Sequence, residues 1–288
     1  MKLLKKAYAK INLSIDVLSK RPDSYHELDM ILQSVSLYDL VSVEKDESGI
    51  ITLKTDHPGL PVDAKNDAFK AALLMKEKFG LKSGYRIALK KRIPIEAGLG
   101  GGSSDAASVI NAICTLENLK VSDRDLFEVG LKIGAELPYS IKSGLARVRG
   151  IGENVQRLDA SFPFFYTIVM PPLSLSTKDI FQRYQVSSHP DSHSQRLESA
   201  ILNNDPDTAL KHMCNDLERV SLRLHKEPAE IKHELLRVGA LHSLMSGSGP
   251  SIFGVFRDFD QAKRAELHFL NAGYKAFAVR ATNEGKEV

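Results

Sequence analysis

A tight cluster of glycines ahead of two serines is the part of this sequence whose residue types and spacing best suit chemistry. Gly98, Gly100, Gly101 and Gly102 fall within five consecutive positions, and the apolar segment after them predicts a long, largely buried helix. A glycine-rich turn that opens a helix directs several free N–H groups and the positive end of the helix dipole towards one point. The segment therefore predicts an anion site, and phosphate suits such a site best.

Two familiar phosphate-binding patterns do not match this segment. A P-loop needs a lysine after its last glycine, whereas Ser103 follows Gly102, and the same Ser103 stands where a dinucleotide-binding turn needs its third glycine. Ser103, Ser104 and Asp105 are residue types that favour a helix N-cap, so the alternative explanation is a flexible turn capped by serines. Four clustered glycines at a helix start cost backbone entropy that packing does not offset, which favours the functional explanation.

The composition is that of an ordinary globular protein of 288 residues, with 43% hydrophobic and 26% charged residues. A net charge of only +3 does not indicate a nucleic-acid partner. Cys114 and Cys214 lie in no metal-binding spacing, so we expect reduced thiols. The uncharged run at residues 11–15 is too short for a signal peptide, and no stretch approaches the ~18 apolar residues of a membrane-spanning helix. We therefore expect a cytoplasmic protein that binds neither nucleic acid nor membrane.

Hydrophobic periodicity and turn residues predict the elements of the first half of the chain. Strands are predicted at 7–18, 49–55 and 85–93, and as two runs within 28–44 that separate near Asp39. Helices are predicted at 66–80, directly after the glycine cluster, and at 122–134. Lys90, Lys91 and Arg92 form a basic stretch that we expect to be solvated, although it could aid an anionic substrate.

The segment 161–172 predicts a linker followed by a buried strand, and it marks the expected domain boundary. We divide the chain into a domain of residues 1–160 and a domain of residues 161–288. Beyond the boundary, the pattern predicts helices within 194–239, a second glycine-rich turn feeding a strand at 245–256, a helix at 261–274 and a strand at 275–281. Strands precede helices in the first half and a mixed pattern follows, so the predicted fold class is α+β.

Three segments of the chain, in order, resemble the three sequence motifs of the GHMP kinases, which include galactokinase, homoserine kinase, mevalonate kinase and phosphomevalonate kinase. The segment P-x-x-x-G-L-G-G-G-S-S-D-A at 94–106 resembles their phosphate-binding motif. Residues 9–13 (AKINL) resemble the first motif and residues 245–251 (MSGSGPS) the third. Residues 21–28 (RPDSYHEL) are similar to a segment of one branch, the 4-diphosphocytidyl-2-C-methylerythritol kinases of non-mevalonate isoprenoid synthesis. The resemblance implies a two-domain GHMP-kinase-like fold with the active site in the cleft between the domains.

The resemblance implies an ATP site built on the glycine cluster. Asn66 would lie near the purine, and the residues that would bind the rest of ATP are Pro94, Gly98, Leu99, Gly100, Gly101, Gly102, Ser103 and Ser104. Ser104 also matches the position whose hydroxyl helps to hold Mg²⁺, a cation that takes few protein oxygens beside phosphate. ATP and Mg²⁺ are therefore the expected cofactors.

The resemblance also implies a catalytic lysine and a substrate pocket. Lys10 would lie beside the acceptor hydroxyl and a catalytic carboxylate, where an ammonium stabilises charge on the transferring phosphoryl group. Without the motif, Lys10 is better explained as a solvated strand lysine, and the motif match reverses that. Asn12 would face the same pocket. Tyr25 would stack on the cytosine of the substrate, His26 would bond the edge of the base, and Thr177 would lie near the substrate.

The position of the general base departs from the branch pattern. The branch usually carries Gly-Ala-Asp-Val-Pro, whereas this sequence reads Gly-Ala-Glu-Leu-Pro at 134–138, with Glu136 in place of the aspartate. The arm of Glu136 is longer by one methylene, about 1.5 Å, and a misplacement on that scale can cost ~100-fold in rate. Three explanations stay open: Glu136 serves as the base with a shifted backbone, the enzyme is slow, or the protein has another substrate or no catalysis.

The function implied by the resemblance is ATP-dependent phosphorylation of the 2-hydroxyl of 4-diphosphocytidyl-2-C-methylerythritol. The alternatives are a catalytically weak or inactive nucleotide-binding homologue and a GHMP kinase for another small alcohol. Tyr25 and His26 favour the cytidine substrate, and Glu136 is the main support for the inactive homologue. We expect a small-molecule substrate as the partner, and a monomer or weak homodimer.

Overall fold

The computed structural model describes residues 1–186 and 192–283. Its strands, in chain order, are β1 (Lys2–Lys20), β2 (His26–Asp46), β3 (Ile51–Thr55), β4 (Gly84–Lys90), β5 (Leu145–Gly150), β6 (Asn154–Arg157), β7 (Phe165–Met170), β8 (Cys214–Asn215), β9 (His242–Met245), β10 (Ile252–Phe256) and β11 (Lys275–Arg280). Its helices are α1 (Asp67–Phe79), α2 (Gly101–Leu116), α3 (Asp123–Leu131), α4 (Leu137–Lys142), α5 (Thr177–Arg183), α6 (His193–Leu202), α7 (Pro206–His212), α8 (Glu218–Leu224), α9 (Lys226–Arg237) and α10 (Phe259–Asn271).

The first sheet is centred on the long antiparallel pair of β1 and β2. Its strand order is β3-β4-β2-β1-β8, with β5 pairing to β2 and β6 to β5. The prediction of two strands within 28–44 is wrong, because β2 runs unbroken through Asp39. The Asp39 side chain is fully buried, but its Oδ1 accepts a hydrogen bond from the backbone N–H of Ile93 at 2.8 Å. The strand therefore does not have to end in order to satisfy this carboxylate.

Helices α1, α2 and α4 pack against this sheet, and α3 packs against α1 and α4, through a largely apolar core. As predicted, α1 ends at Gly80, which adopts the left-handed conformation with φ of 62°. The predicted cap of α3 is also present, since the Ser122 side chain accepts from the backbone N–H of Asp125, but α3 ends at Leu131, before the predicted Gly134. None of the helices within the described ranges is long and apolar enough to cross a lipid bilayer.

The start of α2 differs from the prediction. Its N-cap is Gly100, with φ of 69°, and the helix begins at Gly101, so Ser103, Ser104 and Asp105 lie inside its first turns. The alternative of a turn capped by these serines is wrong, because a left-handed glycine turns the chain into the helix without a side-chain acceptor. The first N–H groups of α2 have no acceptor within the helix and no side-chain cap, which suits them to bind a ligand.

The second sheet has the order β11-β7-β10-β9 and is antiparallel throughout. The predicted buried strand after the linker is β7, and the last predicted strand is β11. The segment 194–239 is mostly helical as predicted, but β8 interrupts it and pairs in parallel with Ser14 and Ile15 of β1. A short piece of the second half of the chain therefore completes the first sheet. The domain division at residue 160 stays a prediction.

Asn215 in β8 joins this junction to the second glycine-rich turn. Its buried Nδ2 donates to the carbonyl oxygens of Met245 and Gly247, both at 2.8 Å, and its Oδ1 accepts from the N–H of Leu217 at 3.0 Å. The side chain thus fixes the start of the 246–250 loop.

We expect Asn215→Ala to lower the free energy of unfolding by about 2–4 kcal/mol, because it leaves three buried backbone groups without partners. Urea unfolding followed by circular dichroism measures this, with the exposed Asn271→Ala as control. Equal effects of the two substitutions would contradict the structural role of Asn215.

Candidate active site

A cleft of about 1090 Å³ opens between the glycine cluster and residues from the second half of the chain. Every site residue predicted from the sequence, except Ser104, lines this cleft: Lys10, Asn12, Tyr25, His26, Asn66, Pro94, Gly98, Leu99, Gly100, Gly101, Gly102, Ser103, Glu136 and Thr177. The elements that carry these residues lie far apart in sequence. The fold therefore brings together the groups that the sequence motifs single out.

Lys10 lies in β1 at the base of the cleft with its side chain almost fully buried. Its backbone N–H donates to the carbonyl oxygen of Leu99 at 2.9 Å, which ties the strand to the glycine cluster. Its Nζ donates to Oδ1 of Asn12 at 2.7 Å and lies 3.3 Å from Oε1 of Glu136. The side chain of Glu136 is 42% exposed, so this carboxylate faces the cleft while the lysine lies behind it. The pair can hold and move a proton next to a bound hydroxyl.

The glycines around Lys10 are needed because the backbones approach each other closely. A Cβ at Gly100 would lie 3.1 Å from Cγ of Lys10 and 3.8 Å from Oε2 of Glu136. Gly98 has φ of 72°, and a Cβ there would overlap the carbonyl oxygen of Ser246. These contacts bring the start of α2, with its free N–H groups, directly beside the lysine–carboxylate pair.

The second glycine-rich turn packs on the first one. The Ser246 hydroxyl donates to the carbonyl oxygen of Gly98 at 2.9 Å, and the Ser251 N–H donates to the carbonyl oxygen of Ala97 at 3.4 Å. A Cβ at Gly247 would lie 3.3 Å from Nζ of Lys10. Gly98 and Ser248, one in each turn, are 150 residues apart in the sequence. The two turns nevertheless form a single wall around Lys10.

Asn66 and Ser104 are placed differently from the other predicted ATP residues. Asn66 lines the cleft, but it is the N-cap of α1: its Oδ1 accepts from Ala68 N–H at 2.9 Å and its Nδ2 donates to the Pro61 carbonyl oxygen at 3.0 Å. Ser104 is buried behind the cleft wall, whereas Ser103 lines the cleft. The roles of Asn66 and Ser104 in binding stay predictions.

Among the predicted substrate residues, Asn12 is bonded to Lys10, and Tyr25, His26 and Thr177 line other parts of the same cleft. The ring of His26 is buried against Phe181, with 5.1 Å between ring centroids, and burial together with the nearby Lys20 charge lowers the pKa of His26. Tyr25 is 58% exposed. The hydroxyl of Thr177 is hydrogen-bonded to that of Ser248 at 2.7 Å. Sequence analysis missed Phe181, although its position one helical turn after Thr177 is a signal that places both residues on one face of α5.

Lys91 is a second lysine on the cleft wall, and its environment contradicts the solvated stretch expected from the sequence. Its side chain is only 7% exposed, and its Nζ lies 2.5 Å from Oδ2 of both Asp39 and Asp105. Lys90 and Arg92 are exposed as expected. Burial raises the pKa of the Asp105 carboxyl, and the Lys91 ammonium opposes that shift. This group ties β2, the end of β4 and the first turns of α2 together underneath the glycine cluster.

Asp67 is a further cleft residue that sequence analysis missed. It is the first residue of α1, and its Oδ2 lies 3.0 Å from the place of a Cβ on Gly102. Burial raises the pKa of its carboxyl, with the charge of Lys70 opposing. A partly desolvated carboxylate beside the first amides of α2 is a place where a cation would be stabilised. An acidic residue in a helix's first turn is so common that its type alone gives no signal.

Comparisons with known proteins agree with this geometry. Residues 66–148 match the model of the GHMP kinase N-terminal domain, and residues 197–276 match that of the GHMP kinase C-terminal domain. The chain is 44% identical over 262 residues to the 4-diphosphocytidyl-2-C-methyl-D-erythritol kinase of Clostridium botulinum (strain Eklund 17B / Type B), covering 90% of this chain and 92% of that protein. It is 43% identical over 267 residues to the kinase of the same name from Clostridium novyi (strain NT), covering 92% and 94%.

A solved structure gives the same result at the level of the fold. The crystal structure of a 4-(cytidine 5'-diphospho)-2C-methyl-D-erythritol kinase superposes with a TM-score of 0.81 at 33% sequence identity, covering 96% of this chain and 98% of that chain. Together with the two domain matches, it confirms the predicted α+β fold of the GHMP kinase type.

The Lys91 group makes a prediction about stability. Lys91→Met leaves two buried carboxylates without a counter-charge, so we expect the free energy of unfolding to fall by about 3–5 kcal/mol. Without Lys91, ionised Asp39 and Asp105 carboxylates destabilise the folded state. Protonation at lower pH removes this cost, so the loss of stability should be larger at about pH 8 than at about pH 5. Denaturant unfolding at both pH values measures this, with Lys90→Met as control. A loss that does not change with pH would contradict the ionic role of Lys91.

Proposed function

This chain belongs to the GHMP kinase family and, within it, to the 4-diphosphocytidyl-2-C-methyl-D-erythritol kinases, and on that premise we propose how its cleft performs the reaction. It is a small-molecule kinase that transfers the γ-phosphoryl group of ATP to the 2-hydroxyl of 4-diphosphocytidyl-2-C-methyl-D-erythritol, a step of isoprenoid precursor synthesis. The observation that carries the residue assignment is the 3.3 Å contact between Lys10 and Glu136 beside Gly100.

The chemistry follows from the positions of these groups. Glu136 accepts the proton of the acceptor hydroxyl as its oxygen forms a bond to the γ-phosphorus and the bond from that phosphorus to the β-phosphate oxygen breaks. Lys10, buried behind Glu136 and oriented by Asn12, stabilises the negative charge that develops on the transferring group. The first N–H groups of α2, from Gly101 to Ser103, bind the phosphates. The inactive homologue is disfavoured because the carboxylate, although longer than the usual aspartate, reaches the lysine.

A magnesium ion, when bound, neutralises charge on the phosphate oxygens, and the donor set near Gly102 fits it. Mg²⁺ takes one or two carboxylate or hydroxyl oxygens beside phosphate and water. The cleft wall offers the Asp67 carboxylate, whose burial raises its pKa and which a cation would stabilise, and the Ser103 hydroxyl. Ser104 remains the residue that the sequence motif assigns to the metal, and its hydroxyl lies one residue further into α2.

The part of the cleft that Tyr25 and His26 line accommodates the cytidine part of the substrate. His26 presents a neutral imidazole to the edge of the base, since burial lowers its pKa, and Tyr25 offers a face for stacking. Thr177, linked to Ser248, lies near the diphosphate or the alcohol, and Asn12 faces the same pocket as Lys10. Asn66 supports the purine side of the ATP site through the N-terminus of α1.

We also propose the organisation and setting of the protein. A division into domains at 1–160 and 161–288 is supported by the two family models, which match on either side of that boundary. The two free cysteines support action in a reducing compartment such as the cytoplasm, and we propose a monomer or weak homodimer there.

The assignment of Lys10 and Glu136 is tested by ADP release with ATP, Mg²⁺ and the diphosphocytidyl substrate. We expect wild-type turnover, and losses in kcat of about 100-fold or more for Lys10→Ala and Glu136→Gln. Glu136→Asp should lose about 10- to 100-fold, because it withdraws the carboxylate by one methylene from Lys10. The exposed Glu77→Gln is the control. A wild type without turnover that still binds ATP would instead favour the inactive homologue, and turnover only with another alcohol would favour the third possibility.

The lowered pKa of His26 makes a separate prediction about pH. The KM for the diphosphocytidyl substrate should stay flat from about pH 8 down to about pH 6.5, and rise at lower pH, because protonation then removes the acceptor nitrogen of the ring. Steady-state kinetics from about pH 5 to 8 measure this for wild type, His26→Asn and the exposed control His57→Asn. A rise that begins well above pH 6.5, or that persists in His26→Asn, would argue against a neutral His26 at the base edge.

A further inference from the structure

The carboxylate of Glu136 is held by little besides its own backbone. Within the described residues, Lys10 is its side-chain partner, at 3.3 Å, and the side chain is 42% exposed. A side chain with one partner and so much exposure does not fix its own position. The location of the carboxylate therefore depends on the backbone of residues 132–136, which connects α3 to α4.

A tight turn at residues 150–153, between β5 and β6, packs directly on that connection. Gly152 has φ of 131°, a conformation that L side chains rarely adopt. A Cβ on Gly152 would overlap the carbonyl oxygen of Ala135 and lie 2.9 Å from its carbonyl carbon. The turn therefore abuts the peptide group immediately before Glu136, and no side chain fits between them.

The turn is itself held in shape by Glu153. One oxygen of its carboxylate, Oε2, accepts a hydrogen bond from the N–H of Ile151 at 2.6 Å. The same carboxylate covers Gly150, which has φ of 78° and where a Cβ would overlap both of its oxygens. Ile151, between these glycines, lines the cleft together with Glu136. The turn is therefore held rigid, and the Ala135 carbonyl packs against it.

We propose that Gly152 and Glu153 are positioning residues that set how far the Glu136 carboxylate reaches towards Lys10. The backbone of residues 135–136 packs against Gly152, which prevents it from moving further towards the turn. Glu153 holds the turn in place through its hydrogen bond from the Ile151 N–H. Glu136 has a longer side chain than the usual aspartate. The distance from the Gly152–Ala135 contact to Lys10 therefore determines whether the carboxylate lies 3.3 Å from the ammonium. This inference rests on the proposed function of Glu136 as the base.

The first test compares Gly152→Ala with Gly239→Ala. Gly239 also has a left-handed φ, 99°, but a Cβ there meets nothing within 4 Å, so it controls for backbone strain alone. We expect Gly152→Ala to lower kcat by about 10- to 100-fold, with the dissociation constant for ATP, from titration calorimetry, changed less than about threefold. Gly239→Ala should stay within about twofold of wild type in both.

Coupling to Glu136 separates positioning from general damage. Glu136→Asp is introduced into the wild type and into Gly152→Ala, and the four kcat values form a double-mutant cycle. We expect the effect of Glu136→Asp to differ by about fivefold or more between the two backgrounds, because each change alters the same distance to Lys10. Effects that multiply within about twofold would overturn the inference, as would a Gly152→Ala enzyme as fast as Gly239→Ala. Full activity of Glu136→Gln would instead overturn the proposed role of Glu136.

Glu153 gives an independent test should Gly152→Ala fail to fold. Glu153→Gln keeps an oxygen that can accept from the Ile151 N–H, whereas Glu153→Ala removes it. We expect kcat of Glu153→Ala to fall by about tenfold and Glu153→Gln to retain most of the wild-type rate, with the KM for ATP little changed in both. Equal rates for the Ala and Gln variants would contradict the positioning role of the turn.

Discussion

The close approach of two glycine-rich turns to one buried lysine is the constraint on which the rest of the site depends. Gly100 and Gly247 present no side chain to Lys10, and a Cβ at either position would crowd its side chain at 3.1 to 3.3 Å. The hydrogen bond from Lys10 N–H to the Leu99 carbonyl then fixes the first turn of α2 relative to β1. The glycines therefore serve two purposes at once: they admit the lysine, and they leave the amides at the start of α2 free for an anion.

Two lysines on the same cleft wall illustrate how burial divides structural from chemical roles. Lys91 lies between Asp39 and Asp105, both almost fully buried. Its charge is paired with these two carboxylates, and the group holds β2, the end of β4 and α2 together. Lys10 is equally buried, but its carboxylate partner Glu136 is 42% exposed and faces the cleft. A proton can reach or leave Glu136 from the cleft side, whereas both carboxylates that pair with Lys91 are buried. These environments favour Lys10 over Lys91 for the catalytic role that we propose, although residue pattern alone predicts both as solvated lysines.

The sequence predicted the parts of the site that depend on local pattern. The glycine cluster, the stop of α1 at Gly80 and the long buried helix after residue 100 all follow from residue type and spacing. What it could not predict depends on contacts between distant residues. The partners of Lys91 lie 52 and 14 residues away, so nothing near it in sequence signals burial. β8 is only two residues long and forms because β1 offers it a free edge, which no local propensity encodes. The meeting of Lys10 with Glu136 was implied by family resemblance rather than by periodicity.

The contact of the Glu136 carboxylate with Lys10 has a local physical reason at the start of α4. Glu136 is the N-cap of α4 and makes no side-chain cap bond, and Pro138 in the first turn removes one of the N–H groups that a cap would satisfy. A residue that caps a helix with its side chain has an extended backbone, whereas Glu136 has helical dihedrals, with φ of −84° and ψ of −6°. The carboxylate is therefore not drawn onto the first N–H groups of α4. It is left to contact Lys10 at 3.3 Å, provided that the backbone behind it is held in place.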